Sequence, residues 1–267
     1  MFDAEFYRAH NLDLRDLDSP ALAAHFAAHQ DERRLFAPTK TTVEALSMRW
    51  LRGAGIEIGA GGSPTPLFGN ATTMMGDVDD KLAFGGERLD LQGSIDSEAF
   101  GASCRAHFDF AIASHVLEHA DSFLRALLNL IQITRPGGIV YVVLPDIRFI
   151  GDVRWMPFFD FGHHVREFNE PLAYAQQHDD LYREGCGDGI FHSNEIAHLT
   201  ADYQQAVAEA RIPAHLRFLH HKHNYNFDGW LKMMTQAQQF FGNAFEFADV
   251  RFGHERQDCH FVLQVQP

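Results

Sequence analysis

Residues 108–146 read FDFAIASHVLEHADSFLRALLNLIQITRPGGIVYVVLPD, and this stretch restricts the fold more than any other. An unbroken apolar run, Phe108–Ala113, leads into a histidine-bearing turn. Leu124, Leu127, Leu128 and Ile131 then recur at i, i+3, i+4 and i+7, the spacing of one helix face. Pro136-Gly137-Gly138 stops that helix, and a second apolar run, Ile139–Leu144, follows. Short runs that are apolar without alternation must be covered on both faces, so the stretch predicts two parallel strands joined by a helical crossover.

The same grammar extends in both directions. A helix over Thr41–Arg52 leads into a strand at Ile56–Ile58, within Gly55–Gly62 (GIEIGAGG). Further strands are expected at Thr72–Met75 and Arg88–Leu91, with a helix around Ile95–Phe100. The crossover helix is placed at Ser122–Ile133. Regular pattern lapses from Arg148 to about His223 and returns with a helix at Phe227–Phe241. Two strands, Phe245–Arg251 and His260–Gln266, finish the chain as a hairpin around GHERQDC. Strands alternating with helices predict an α/β fold with a parallel sheet covered on both faces. Residues 1–37 read as a helical N-terminal segment, with Ser19-Pro20 opening a helix on which Leu22, His25, Phe26 and His29 recur. The expected division is 1–37 and 38–267, with residues 148–223 an insertion after the fifth strand.

Composition excludes several classes of function. The 22 Lys and Arg against 36 Asp and Glu give a net charge of −14. Nucleic-acid binding draws on clustered cations, and no such cluster occurs, so no nucleic-acid partner is expected. No apolar run approaches the roughly 20 residues that span a bilayer. The polar, acidic start MFDAEFYRAHNLDLRD is unlike a signal or transit peptide, which places the chain in the cytoplasm. Cys104, Cys186 and Cys259 are widely separated, without CxxC spacing, so neither a disulfide framework nor a structural zinc knuckle is expected.

These elements resemble a class I S-adenosylmethionine (SAM) methyltransferase of the type 11-like group. SHVLEHADSFLRALLNLIQITRPGG is close to that family's (S/N)HVLEH…L…RVLKPGG, and Glu57-x-Gly59-x-Gly61 to its cofactor loop. The resemblance implies a Rossmann-like seven-stranded sheet with a C-terminal antiparallel hairpin, using SAM and releasing S-adenosyl-L-homocysteine. A dinucleotide loop would need a glycine at position 64, where Pro64 stands. By the resemblance, Glu57 orients the loop or the methionine amino group, and Gly59 and Gly61 pass beneath the cofactor. Asp77, with Asp79 and Asp80 as competitors, meets the ribose. Asp90 meets the adenine amino group with Leu91 packing nearby, and Ser114 and His115 line the site.

LPDIRF at Leu144–Phe149 is similar to the (V/L)PDKRF of methyltransferases from bacterial surface-polysaccharide clusters. HSNEIAHLTADY (residues 192–203) and HHKHNYNF (residues 220–227) match two further segments of that group, through His198, Asp202, Tyr203, His221 and His223. The N-terminal segment is similar to a short module attached to bacterial cell-surface glycan enzymes. Together they imply O-methylation of a sugar hydroxyl, with a small-molecule or glycan acceptor and compatibility with a glycosyltransferase partner or a homodimer. A general base aids such a transfer, and histidine suits neutral pH. His223 leads the candidates, followed by His221 and His192, while Asp146 and Arg148 would shape the acceptor pocket. His119 reads as structural. A divalent metal held by these histidines is an alternative without a fixed ligand spacing, and no metal ligand is assigned. A non-sugar metabolite as acceptor, and a non-catalytic module partnering a glycosyltransferase, are the other readings.

Overall fold

The computed structural model describes residues 2–61, 63–77, 90–149, 159–170, 177 and 221–267. Seven strands form one sheet: β1 Ala54–Ile58, β2 Thr72–Asp77, β3 Leu91–Gln92, β4 Phe108–Ser114, β5 Thr134–Pro145, β6 Phe245–Gly253 and β7 Asp258–Val265. Their spatial order is β3-β2-β1-β4-β5-β7-β6. The first five strands run parallel, and β7 enters antiparallel between β5 and β6. This is the Rossmann-like sheet with a C-terminal hairpin that the sequence implied.

Both faces are covered, and β5 shows how. Val140, Val142 and Leu144 point into one apolar cluster with Leu124, Leu127, Trp230 and Met234. Ile139, Tyr141 and Val143 point into the other with Leu46, Leu51 and Phe110. Period-two alternation along a strand apolar on both sides fills two layers at once. The helices doing the covering are α3 (Thr42–Trp50), α4 (Glu98–Ser103), α5 (Phe123–Ile133) and α7 (Phe227–Phe240). Ahead of them lie α1 (Ala4–His10) and α2 (Ser19–Ala28), and α6 (Phe161–Asn169) precedes α7. Tyr7, Leu14, Leu22 and Phe36 pack with Met48 of α3, so the N-terminal helices share a core with the first helix of the sheet domain.

Side-chain caps fix the helix starts. Thr41 and Glu44 form a reciprocal capping box on α3, and Ser122 caps α5. Two boundaries differ from expectation. The helix expected at Ile95–Phe100 starts at Glu98, because the Asn129 amide donates to the carbonyls of Ile95 and Ser97, both at 2.7 Å, and holds that turn open. Helix α5 ends before Pro136-Gly137-Gly138, and the strand already begins at Thr134. The residue before proline is driven out of helical geometry, so Arg135 is extended. The third strand is described from Leu91, and Arg88 and Leu89 lie outside the described residues. Among the described residues, no helix is long and apolar enough to cross a membrane.

Candidate active site

Strand order reverses between β1 and β4, and ligands of open α/β sheets bind past the carboxyl ends at such a point. Strand β1 runs out into Gly59 (φ +66°) and Gly61 (φ +53°). A Cβ on Gly59 would stand 2.6 Å from Val116 Cγ2, so both backbone sign and space demand glycine there. Glu57 is fully buried beneath the loop. Its two carboxylate oxygens accept the Thr65 N–H at 3.0 Å each, and Oε1 also accepts the Thr65 hydroxyl at 2.7 Å. Burial pushes this carboxyl up, against the opposing pull of the Thr65 bonds. Glu57 therefore ties the far end of the glycine loop back to β1. Gly62 lies outside the described residues.

The neighbouring strand ends supply the rest of this wall. Asp77 closes β2, buried, and its carbonyl accepts the Gly93 N–H at 2.9 Å. Asp90 is exposed, and its Oδ2 accepts the Met75 N–H at 3.0 Å, stitching the approach of β3 onto β2. Leu91 pairs with Gly76. Asp79 and Asp80 fall outside the described residues. Ser114 closes β4 opposite Val143, and His115 follows at φ +56° with its N–H on the Val143 carbonyl at 2.9 Å.

His115 stands between two buried carboxylates. Its Nδ1 is 3.4 Å from Glu118 Oε1 and its Nε2 3.4 Å from Asp258 Oδ1. Burial opposes charge on this ring, but Asp258 and Glu118 outweigh it and raise its pKa to about 10. Solvent reaches 40% of the side chain and screens both partners. Glu118 sits in the turn Leu117–His119, fully buried. His119 Nε2 and His221 Nε2 each lie 4.0 Å from its Oε1. The two rings face each other edge-on at 4.6 Å. Burial works to raise the Glu118 pKa, and the three surrounding imidazoles hold it low.

Chain returning from the insertion is docked on the same turn. The Glu118 carbonyl accepts the N–H groups of Lys222 (2.7 Å) and His223 (3.1 Å). Lys222 Nζ reaches Asp121 at 2.6 Å. His223, the leading base by sequence, is fully buried, with Nε2 2.7 Å from Glu167 Oε1. His163 Nε2 approaches the same oxygen at 2.5 Å, and His164 Nδ1 takes Oε2 at 2.9 Å. His164 Nε2 meets the Tyr225 hydroxyl at 2.7 Å, which donates to the Phe159 carbonyl at 2.8 Å. A general base must reach the acceptor. The structure encloses His223 in this network, whereas His221 lies beside Glu118 with 10% of its side chain exposed. His192, His198, Asp202 and Tyr203 lie outside the described residues.

Asp146 lies at the end of β5, where it was expected to shape the acceptor pocket with Arg148. It is fully buried, and its oxygens accept Arg148 N (3.0 Å), Arg148 Nε (2.9 Å), Arg148 Nη2 (2.7 Å) and Phe227 N (2.9 Å). All of this joins the end of β5 to the start of α7. Arg148 is 55% exposed, with its guanidinium 5.4 Å from the Phe149 ring and 5.9 Å from that of Phe252. Sequence reasoning passed over Glu118, Asp258 and Glu167. The first has a signal in hindsight, because HVLEH places an acid and two histidines within five residues. Asp258 is reached only through the sheet, 140 residues downstream of Glu118.

The methyltransferase domain family matches residues 5–181, and the chain belongs to that family, with SAM as its cofactor. None of the curated proteins matches the chain. Among solved structures it is similar to the CurJ carbon methyltransferase, at 15% identity and TM-score 0.44, covering 84% of this chain and 53% of that one. A SAM-dependent methyltransferase from Thermotoga maritima is similar at 14% identity and TM-score 0.42, over 92% of this chain and 94% of that one. The trans-methyltransferase CalH, solved with S-adenosylhomocysteine, matches at 14% identity and TM-score 0.38, over 84% of this chain and 53% of that one. The chain thus spans about half the length of the CurJ and CalH chains.

Proposed function

We propose that the protein methylates a sugar hydroxyl, with the carboxylate–imidazole cluster of Glu118, His119 and His221 handling the acceptor proton. The observation that carries this reading is the position of that cluster. It begins four residues after the end of β4, beside Val116, against which the glycine loop closes. SAM supplies a methyl carbon on a sulfonium, already a good leaving group. The chain's own residues then have three tasks. Glu57, Gly59 and Gly61 shape the loop under the cofactor, and Asp77 offers a carboxylate at the end of β2. Imidazole at His221 or His119 takes the hydroxyl proton as the O–C bond forms and the S–C bond breaks. Arg148, flanked by Phe149 and Phe252 at the end of β5, suits a polar, anionic acceptor with a stacking face, as a nucleotide-linked or lipid-linked sugar would offer.

The 1–37 segment and the motifs around Leu144–Phe149 support a place in surface-glycan assembly, with a glycosyltransferase as the expected partner. A panel of nucleotide sugars incubated with SAM tests the reading. Formation of S-adenosylhomocysteine with a methylated sugar, lost in His221→Ala while SAM affinity is kept, is the expected result. Turnover confined to phenols or carboxylates would instead establish a non-sugar acceptor. Failure to bind SAM would point to a non-catalytic module.

A further inference from the structure

We propose that Glu118, His119 and His221, together with His115, form a binding site for a divalent transition-metal ion. The inference rests on the reading above that this cluster meets the acceptor hydroxyl, and it replaces direct proton transfer to imidazole by metal assistance. The starting observation is Glu118, fully buried, with neither carboxylate oxygen hydrogen-bonded. A buried, unsatisfied carboxylate is costly, and here it is ringed rather than abandoned. His115 Nδ1 at 3.4 Å, His119 Nε2 at 4.0 Å and His221 Nε2 at 4.0 Å all converge on Oε1. None of these approaches has the geometry of a hydrogen bond. Nitrogen and oxygen ligands about 2.0–2.2 Å from one tetrahedral ion stand roughly 3.3 Å apart, so small movements bring these atoms into one coordination shell. The ligand atoms of Glu118, His119 and His221 all lie within 4.8 Å of one another.

The outer shell fits as well. Asp258 Oδ1 stands 3.4 Å from His115 Nε2, the nitrogen turned away from Glu118. A carboxylate behind a ligating histidine fixes its orientation and raises its basicity. Imidazoles with one carboxylate favour zinc, iron, cobalt or nickel over magnesium or calcium. His119 and His221 keep 21% and 10% of their side chains open to solvent, and with four protein ligands the acceptor takes a fifth position.

Among the described residues, two other groups have metal-like composition, and neither has this combination. His163, Glu167 and His223 are buried, but their carboxylate is already satisfied by three imidazoles. His25, His29 and Glu32 lie at the surface of the N-terminal segment. At the Glu118 site an ion binds the acceptor hydroxyl and lowers its pKa, as metals do for bound water. The hydroxyl proton then leaves to solvent, and His221 acts as a ligand rather than as the base.

Cobalt(II) added to chelator-stripped full-length protein is the probe. One equivalent should bind and give visible d–d absorption. Glu118→Gln and His119→Ala should each weaken binding at least tenfold, while His29→Ala leaves it unchanged. SAM titration of each variant reports whether the fold is intact. Absence of the cobalt spectrum in protein that binds SAM overturns the site. A spectrum kept in Glu118→Gln but lost in His163→Ala also overturns it, by moving the ion to the neighbouring cluster. Cobalt bound through Glu118 in protein that turns over no acceptor supports the site and removes only the proposed reaction.

Discussion

Glu57 and Glu118 are both fully buried, and both stand at the carboxyl ends of adjacent strands, one on β1 and one just past β4. Glu57 receives the N–H and hydroxyl of Thr65 at 2.7–3.0 Å. Glu118 has three imidazoles near it and a hydrogen bond from none of them. Burial alone would leave both carboxyls neutral. Burial prevails at Glu57, whose pKa is raised, while at Glu118 the surrounding histidines prevail and the pKa is lowered. One acid therefore holds a loop in shape, and the other is held charged among imidazoles. The lesson is that identical residues, both buried near the carboxyl edge of the sheet, are separated by their partners.

The comparison breaks most sharply in turnover. Glu118→Gln should cut methyl transfer about 100-fold or more, in the range of lost acid–base or metal assistance, while SAM affinity by calorimetry stays within about twofold. Unchanged turnover would reduce Glu118 to a structural acid. Glu57→Ala should do the reverse. It strands the buried Thr65 donors, so urea denaturation should show a loss of about 2–3 kcal/mol, together with weaker SAM binding. Zinc at about 100 times its Kd should stabilise wild-type protein by about 2.7 kcal/mol and leave Glu118→Gln unmoved in a thermal melt. Gly59→Ala sharpens the Glu57 side, since its φ of +66° and the 2.6 Å approach to Val116 should cost about 1–2 kcal/mol and loosen the loop.

The smallest effect concerns a third buried acid. Burial opposes the charge on Asp146, but Arg148 and the Phe227 N–H hold its carboxyl below the usual range. A folded pKa below the unfolded value of about 3.9 adds stability above that pH, lost as pH falls through the folded pKa. Asp146→Asn should therefore flatten the acid limb of a stability–pH curve below about pH 4, while lowering neutral stability by about 1–2 kcal/mol. An acid limb as steep as that of wild type would show that Asp146 is not held charged.

Much of the fold was legible because it depends on local pattern. Apolar runs of strand length, Leu124, Leu127, Leu128 and Ile131 on one helix face, and Gly59 and Gly61 after Glu57 all act within a few residues. Boundaries were less legible where a distant side chain intervenes, as Asn129 does at Ile95–Ser97. The site divides the same way. Its cofactor loop is a contiguous motif, whereas the acceptor side joins residues 115–119, 221–223 and 258. His221 and His223 stand two residues apart in one motif, with His223 ranked first by sequence, yet they reach different carboxylates.

Sequence by itself determined the α/β class, the strand–helix alternation and the glycine loop, because period, chain stiffness and backbone freedom are properties of short segments. Only the tertiary structure decided which acids are satisfied and which imidazoles meet them. Whether a buried charge is paired depends on groups more than a hundred residues away, brought within 4 Å by the sheet order at Asp258 and by the docked 221–223 segment at His221.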